Sequence, residues 1–294
     1  VTKSPLTGAL AHSNSGGDFP TWMKRTGFDM FIFEGKAEKP VYLWVNEDEV
    51  EIRSAEHLWG KDVPDTTDAL LAETSAKAKV ACIGPAGENL VLMAAIMNDK
   101  DRAAARSGVG AVMGSKNLKG VVAYGRKNPE FADDKAMRDL SLVIAKEVGA
   151  DMLAGSSLRI YGTAYVPQVT NTLGIFPTRN WQTGTFEGVD TIDGPTLTDN
   201  YLIKPKPCYR CPIACGRLTE VKDGPYKGKG EGPEYETISA FGGGCGVDDM
   251  AAILKANYWC NELGMDTISA GMTIAAAMEM YEKGYIPEDD IGQP

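Results

Sequence analysis

Hydrophobic and polar positions change their spacing near residue 130. Before it, short apolar runs rich in β-branched and aromatic residues predict strands at 29–35, 40–46, 79–84 and 120–126. The stretch "VEIRS" follows the polar "EDE" and predicts the second strand of a hairpin. Within the same part of the chain, "GENLVLMAAIMN" has apolar residues at helical spacing and predicts a helix.

After residue 130 the spacing predicts helices. "DDKAMRDLSLVIAKEVG" has the pattern of a capped amphipathic helix. Two further helices follow "FGGGCGVDD", the first capped by Asp248 or Asp249 and ending at Gly264, the second capped by Asp266 and ending at Gly284. Residues 155–206 are rich in Gly, Thr, Asn and Pro and predict long ordered loops. The pattern therefore predicts an α+β protein with a β-rich domain at 1–130 and a mainly helical domain at 131–294.

Composition and charge narrow the classes of function. The 294 residues carry a net charge of -10 and no cluster of Lys or Arg, which argues against a nucleic-acid surface. No apolar run is long enough for a transmembrane helix, and no leader pattern opens the chain, so we expect no membrane and a cytoplasmic location. The chain opens on Val1 without Met and closes on Pro294 after an acidic turn, so we expect a fragment of a longer polypeptide.

The stretch "PCYRCPIACG" holds three of the six cysteines: Cys208, Cys211 and Cys215. Thiolates in a C-x2-C-x3-C loop suit an iron–sulfur cluster or zinc in a reducing compartment. Either site needs a fourth ligand, which for a cluster can lie beyond Pro294. The candidates within the chain are Cys82, Cys245, Cys260, His12 and His57. The alternative is three structural thiols in a buried turn.

Two glycine-rich stretches favour an anionic ligand. "RAAARSGVGAVMGSKNLKG" matches neither a dinucleotide-binding fingerprint nor a P-loop, yet its glycines expose backbone N–H groups beside Arg102, Arg106 and Lys116. "SNSGGDF" is a second turn that lets a ligand approach the backbone. The alternative for each stretch is a tight turn between secondary-structure elements.

The acidic stretch "EGPEYETIS" offers one candidate for proton transfer. Carboxylates beside a Pro at the first turn of a helix complement the helix dipole, which accounts for one or two of Glu231, Glu234 and Glu236. Glu236 lies about one turn beyond Pro233 and is a candidate general acid or base.

Taken together, ordered stretches across nearly the whole chain resemble the tungsten-containing aldehyde ferredoxin oxidoreductase family. They include "VTKSPLTG", "NSGG", "GKAEKPVY", "IGPAGENL", "GVGAVMGSKNLK", "KPCYRCPIACGR", "EGPEYET" and "NELGMDTIS". The resemblance implies a first domain of two packed sheets that cradles the pterins, followed by a mainly helical domain. It also implies a fragment of a three-domain protein that lacks the start of the first domain and the whole of the last.

The resemblance further implies cofactors and their ligands. The cofactors are a tungsten (or molybdenum) bis-pyranopterin, a [4Fe–4S] cluster with Cys208, Cys211 and Cys215 as three ligands, and magnesium. Asn14 and the carbonyl of Ala103 correspond to the magnesium ligands, with Gly16 and Arg102 near the pterin phosphates. The pterin motif corresponds to Asn261, Gly264, Met265 and Asp266. Its first position is Asp in the family, so Asn261 lacks an anionic acceptor. Glu236 corresponds to the acidic residue beside the metal.

The implied activity is oxidation of aldehydes to carboxylic acids, with electrons passed to ferredoxin or an electron-transfer subunit, in an oligomer. One alternative in the same fold is the catalytic subunit of a tungsten enzyme that reduces an aromatic acyl-thioester. An alternative of another class is a zinc-stabilised binding module, in which the cysteine loop is structural.

Overall fold

The computed structural model describes residues 1–47 and 49–291, so Pro294 lies outside the described residues. The chain divides into two compact units. The first comprises Val1–Glu147 together with two later segments, Cys208–Cys211 and Trp259–Asp266. The second comprises Val148–Pro207, Pro212–Tyr258 and the chain from Thr267 onward.

The first unit contains eight strands within the described part of the chain. They are β1 (Thr2–Lys3), β2 (Leu10–Ala11), β3 (Val41–Asn46), β4 (Glu49–Ser54), β5 (Lys79–Cys82), β6 (Ile96–Asn98), β7 (Arg102–Ala104) and β8 (Leu118–Tyr124). β1 and β2 form a two-stranded ladder, and the others form a six-stranded sheet in the order β4-β3-β8-β5-β6-β7. β3 and β8 run parallel, whereas every other neighbouring pair in this sheet is antiparallel.

Helices pack against this sheet and bury an apolar core. They are α1 (Phe19–Arg25), α2 (Val63–Glu73) and α4 (Val109–Ser115), and α3 (Pro85–Glu88) packs on α4. A further helix, α5 (Asp134–Ala150), has no buried residue and is divided between the two units. The core residues come from α2 and from alternate positions of the strands, and they include Trp44, Leu70, Val80, Met97 and Val122. Alternation places these side chains on one face of the sheet because successive strand residues point to opposite faces.

Two predictions in this unit were wrong. Residues 29–35 form no strand, because Met30 and Ile32 are exposed and no neighbouring strand pairs with them. The helix predicted from "GENLVLMAAIMN" is reduced to the single turn of α3 followed by β6. Leu90 has a left-handed φ of 57°, and the Ala95 N–H donates to the Gly264 carbonyl at 2.8 Å instead of to a helical neighbour.

The second unit combines one small sheet with helices. Its strands are β9 (Leu202–Pro205), β10 (Arg217–Val221) and β11 (Gly228–Glu231), which pair antiparallel in the order β11-β10-β9. Its helices are α6 (Leu158–Tyr161), α7 (Val166–Thr172), α8 (Gly194–Tyr201), α9 (Tyr235–Ile238), α11 (Thr267–Glu282) and α12 (Glu288–Ile291). Helix α10 (Met250–Leu263) is divided between the two units.

Residues 155–206, predicted as long loops, contain α6, α7, α8 and β9. Pro lies in the first turn of α7 and of α8, where its missing N–H costs nothing. The carboxylate of Asp193 also caps α8 by accepting from the Thr196 N–H at 2.9 Å. Helix-starting residues thus explain the composition that had suggested loops.

The predicted mixture of sheets and helices is confirmed. The helices predicted near residue 140 and after residue 248 correspond to α5, α10 and α11. As predicted for α10, the carboxylate of Asp249 accepts from the Ala251 N–H, at 2.8 Å. No helix in the part of the chain that the structure describes is long and apolar enough to cross a membrane.

Candidate functional site

The turn at Gly16 and Gly17 packs against the hairpin formed by β6 and β7. Gly17 has φ of 90°, and a Cβ there would lie 2.6 Å from a carboxylate oxygen of Asp99 and 2.7 Å from the amide oxygen of Asn98. A side chain at Gly17 would therefore meet both backbone strain and steric overlap. The turn that follows Asn14 is thus held against the hairpin whose second strand contains Ala103.

Two hairpin residues that were not predicted as site residues fix this turn. The carboxylate of Asp99 accepts from the backbone N–H groups of Asp18 and Phe19, at 2.6 and 3.1 Å. The side-chain amide of Asn98 contacts the Ser15 hydroxyl at 2.6 Å. Their signal was the polar "MNDKD" between two short apolar stretches, which marks a hairpin turn.

The first part of the cysteine loop belongs to the same unit and touches the same turn. A Cβ at Gly16 would lie only 2.8 Å from Sγ of Cys208. The Tyr209 N–H donates to the Gly17 carbonyl at 3.4 Å, and the Cys211 N–H donates to the Cys208 carbonyl at 3.0 Å. Both thiols are free and half-buried. The loop and the glycine turn therefore form one local structure.

The second part of the cysteine loop, which lies in the second unit, is anchored by a buried arginine. One end of the Arg217 guanidinium donates to the carbonyls of Ala214 and Gly216, at 2.8 and 3.1 Å, and the other to Leu158 and Arg159, at 3.0 and 2.7 Å. Burial lowers the pKa of Arg217, while the nearby Glu234 and Cys215 oppose that shift. Cys215 is half-buried and forms no disulfide. Arg217 thus holds the backbone on both sides of Cys215.

Among residues 1–47 and 49–291, no group of three or more His, Cys, Asp or Glu side chains is arranged to hold a metal ion. The other three cysteines are buried, and burial raises the pKa of Cys82 to about 11, of Cys245 to about 11 and of Cys260 to about 12. Metal binding requires the thiolate, so these three thiols are poor candidates for a fourth ligand. The half-buried thiols of the loop differ from them in their access to solvent.

The corner after α10 has the geometry of a helix stop. Gly264 has a left-handed φ of 74°; its N–H donates to the Asn261 carbonyl at 3.3 Å, and the Met265 N–H donates to the Cys260 carbonyl at 2.8 Å. These two bonds form the Schellman motif. Met265 also pairs with Ala94 in an isolated antiparallel bridge.

Asp266 is buried just after this corner and carries a charge partner. Its backbone N–H donates to the Met93 carbonyl at 3.0 Å, and its carboxylate accepts from the Arg106 guanidinium at 3.1 Å. Arg106 comes from the glycine-rich stretch, so that stretch and the predicted pterin motif meet in the first unit. Arg102 and Ala103 are half-buried in β7, opposite Asn98 and Met97 of β6.

Glu236 lies in the first turn of α9, and its side chain is exposed. The two neighbouring carboxylates have structural partners. Glu234 accepts from the Thr163 hydroxyl, and the buried Glu231 pairs with Lys206 at 2.8 Å. Glu236 therefore differs from the other two acidic residues of this stretch in its exposure, and its role stays a prediction.

Two residues of the first unit suit an iron–sulfur cluster in their chemistry. The half-buried thiols of Cys208 and Cys211 have the soft donor character that such a cluster requires. The first unit also brings together the turn after Asn14, the β6–β7 hairpin and the corner at Gly264 through main-chain hydrogen bonds and close glycine contacts. These contacts hold together three segments that lie far apart in the sequence.

Family models match both parts of the chain. The model described as "Aldehyde ferredoxin oxidoreductase, N-terminal domain" matches residues 1–125. The model described as "Aldehyde ferredoxin oxidoreductase, domains 2 & 3" matches residues 140–294.

Several relatives match nearly the whole chain. The chain is 50% identical over 296 aligned residues to the tungsten-containing aldehyde ferredoxin oxidoreductase of Thermococcus kodakarensis, and the alignment covers 99% of this chain and 48% of that protein. It is 32% identical to the WOR-like subunit of the aliphatic sulfonate oxidoreductase of Pyrococcus furiosus, covering 99% of this chain and 49% of the relative. The chain spans about half the length of the curated relatives it matches.

The fold is shared with a solved structure of another enzyme. It is the active-site complex BamBC of benzoyl coenzyme A reductase with 1,5-dienoyl-CoA, which superposes with a TM-score of 0.84 at 29% sequence identity. The match covers 99% of this chain and 46% of that chain.

Proposed function

Because the chain belongs to the aldehyde ferredoxin oxidoreductase family, we propose that it forms about half of an enzyme that oxidises aldehydes to carboxylic acids. In this reaction an aldehyde and water yield a carboxylic acid, two protons and two electrons. The electrons pass singly to ferredoxin or to an electron-transfer subunit. The observation that carries the proposal is the contact between Gly16 and Cys208, which joins the candidate pterin site to the candidate electron relay.

When bound, a tungsten (or molybdenum) bis-pyranopterin supplies the two-electron chemistry, and a [4Fe–4S] cluster supplies the single-electron relay. In the proposal, Cys208, Cys211 and Cys215 hold the cluster as thiolates. The remaining cluster ligand lies outside this set. Soft donors and partial exposure support this assignment.

Main-chain and amide groups position the pterins in the proposal. The side-chain oxygen of Asn14 and the carbonyl of Ala103 offer hard oxygen ligands to magnesium. Gly16 lets the backbone approach the phosphates, and the charge of Arg102 offsets theirs.

The corner after α10 faces the pterin in the same proposal. Asn261, Gly264 and Met265 present backbone groups and one amide to its ring edge, and Asp266 presents a carboxylate oriented by Arg106. A carboxylate fixed by an ion pair holds its acceptor oxygens in place without further ordering cost. These roles follow the family motif.

Glu236 is proposed to move the proton of the reaction. A carboxylate with an exposed side chain exchanges protons with water directly, and its position one turn from Pro233 separates it from the paired acidic neighbours. We expect Glu236→Gln to lower kcat by roughly 10²–10⁴ with a small change in KM for the aldehyde. The matched control is Glu220→Gln, a carboxylate of β10, and an unchanged kcat in Glu236→Gln would contradict the assignment.

The whole proposal is tested on the full-length protein purified without oxygen. Tungsten or molybdenum together with about four irons per chain, and aldehyde-dependent reduction of benzyl viologen, are expected. Zinc as the sole bound metal would instead support the zinc-stabilised binding module.

A second candidate function is reduction of an aromatic acyl-thioester, in a subunit of a larger complex. It is favoured by the match to the benzoyl coenzyme A reductase structure, at 29% identity. Incubating the full-length protein with benzoyl-CoA and a reduced viologen separates the two candidates. Loss of the benzoyl-CoA absorbance without aldehyde oxidation would favour the second.

A further inference from the structure

Positive side chains gather beside the loop that carries Cys208 and Cys211. We define the cationic aromatic cluster as Trp22, Arg25, Lys79, Tyr209 and Arg210, all in the first unit. The Arg25 guanidinium lies 5.3 Å from the ring centre of Trp22 and 5.4 Å from that of Tyr209. The Lys79 ammonium lies 5.3 Å from Trp22, and the Arg210 guanidinium 5.4 Å from Tyr209.

These contacts hold the cluster in a fixed arrangement. The rings of Trp22 and Tyr209 meet edge to face, with 5.7 Å between their centres and 88° between their planes. Arg25 also donates to the Tyr209 hydroxyl at 2.9 Å, and the Trp22 ring N–H donates to the Lys77 carbonyl at 2.8 Å. Side chains already ordered in this way lose little conformational entropy when a partner binds.

The cluster keeps a net positive charge in an acidic chain. The charge of Lys79 is offset by Asp18 at 2.8 Å and by Asp99 at 4.0 Å. Arg25 and Arg210, in contrast, form no ion pair with any carboxylate in residues 1–47 and 49–291, and Arg210 is exposed. With a net charge of -10, the chain as a whole repels an acidic protein. A local positive patch therefore determines where such a protein can approach.

The cationic aromatic cluster lies beside two of the proposed iron–sulfur ligands. Tyr209 and Arg210 lie between Cys208 and Cys211 in the chain, so a protein docked on them lies next to two proposed cluster ligands. Electron transfer slows steeply with distance, which makes this the favourable face for the exchange. Trp and Arg residues, moreover, are the side chains that most often dominate protein interfaces.

We propose that the cationic aromatic cluster is the docking surface for a small acidic iron–sulfur protein of the ferredoxin type. The proposal rests on the proposed function, in which the adjacent loop holds an iron–sulfur cluster. Charge complementarity selects this occupant, because a neutral or basic protein gains nothing from Arg25 and Arg210.

The test uses the full-length, metal-loaded enzyme and a recombinant acidic ferredoxin. Arg25→Glu/Arg210→Glu is expected to raise the Kd for oxidised ferredoxin about tenfold or more at low salt and to flatten its dependence on ionic strength. The ratio of ferredoxin-dependent to viologen-dependent turnover should fall by a similar factor. Arg25→Lys/Arg210→Lys, which keeps both charges, should recover most of the affinity.

The matched control is Lys3→Glu/Lys146→Glu, which reverses two exposed charges outside the cluster. An equal loss of affinity in this control would overturn the proposal, because net charge alone would then explain the effect. An unchanged Kd in Arg25→Glu/Arg210→Glu would also overturn it. Absence of aldehyde-dependent viologen reduction in the parent enzyme would instead refute the proposed function, while ferredoxin binding would still be measured.

Discussion

A methyl group added at Gly16 tests the contact that joins the glycine turn to the cysteine loop. In Gly16→Ala the new Cβ lies 2.8 Å from Sγ of Cys208. Non-bonded heavy atoms settle at roughly 3.5–4.0 Å, so the sulfur has to move by roughly 1 Å. Metal–ligand distances tolerate a deviation of only about 0.2 Å. The substitution should therefore disturb a proposed cluster ligand directly.

Folding should respond much less than metal binding. Gly16 has no left-handed φ, so Ala adds no backbone strain there. The Cys208 thiol can rotate away from the methyl group at a cost of about 0.5–1.5 kcal/mol. We therefore expect the unfolding free energy to fall by no more than about 1.5 kcal/mol, while iron per chain and the signal of the reduced cluster both fall.

The measurement is iron analysis and electron paramagnetic resonance of the full-length protein, alongside urea unfolding. Gly149→Ala in α5 is the control, because its Cβ would meet no atom within 4 Å. It should leave the iron content unchanged and stabilise the exposed helix by about 0.5–1 kcal/mol. Parental iron content and an unaltered resonance signal in Gly16→Ala would refute the reasoning.

Three further predictions concern buried groups. Lys119→Met leaves the buried carboxylate of Glu88 without its cation, so the free energy of unfolding in urea should fall by about 3–5 kcal/mol. The double variant Lys119→Met/Glu88→Gln should recover much of this loss. Burial raises the pKa of Cys82 from 9.0 to about 11, so the unfolded chain releases this proton first as pH rises. The unfolding free energy should then fall between pH 9 and pH 11 by up to about 3 kcal/mol, and Cys82→Ala should flatten that slope. In Arg217→Lys the lysine cannot reach all four carbonyls, so the free energy of unfolding should fall by at least about 2 kcal/mol. Alkylation of Cys215 in the metal-free protein should become faster. An unchanged alkylation rate would contradict the anchoring role of Arg217.

Secondary structure was predictable where one segment satisfies its own hydrogen bonds or alternates clearly. Helix α5 has its own cap, since the Ala136 N–H donates to the Asp133 carboxylate at 2.8 Å. Strand β3 was signalled by apolar, aromatic and β-branched residues throughout its length. In both cases, the local sequence pattern and the environment in the folded protein favour the same secondary structure.

The prediction failed where distant segments supply the partners. The stretch before β6 has helical spacing, yet its backbone pairs with α4 and with the corner after α10. The Gly110 N–H donates to the Ala94 carbonyl at 2.9 Å, and Ala94 bridges to Met265. Such contacts join residues far apart in sequence, so local periodicity cannot reveal them.

The sequence marks candidate site residues, but it does not show which other segments hold them in place. Three thiols in a short loop and glycines beside arginines are local signals, and both were visible in the sequence. The roles of Asp99 and Arg217 were not visible, because each acts by bonding to the backbone of another segment. Side chains that fix a backbone carry no composition signal of their own.

The first unit includes two segments that lie far along the chain from the rest of it. Cys208–Cys211 and Trp259–Asp266 both join the first unit although each lies far along the chain from Glu147. The cysteine segment is tied in at Gly17, and the segment after α10 is tied in at Met93 and Ala95, in each case by main-chain hydrogen bonds. Main-chain bonds fix position without depending on the identity of most side chains. The positions of these two segments in the first unit are therefore fixed mainly by their backbones.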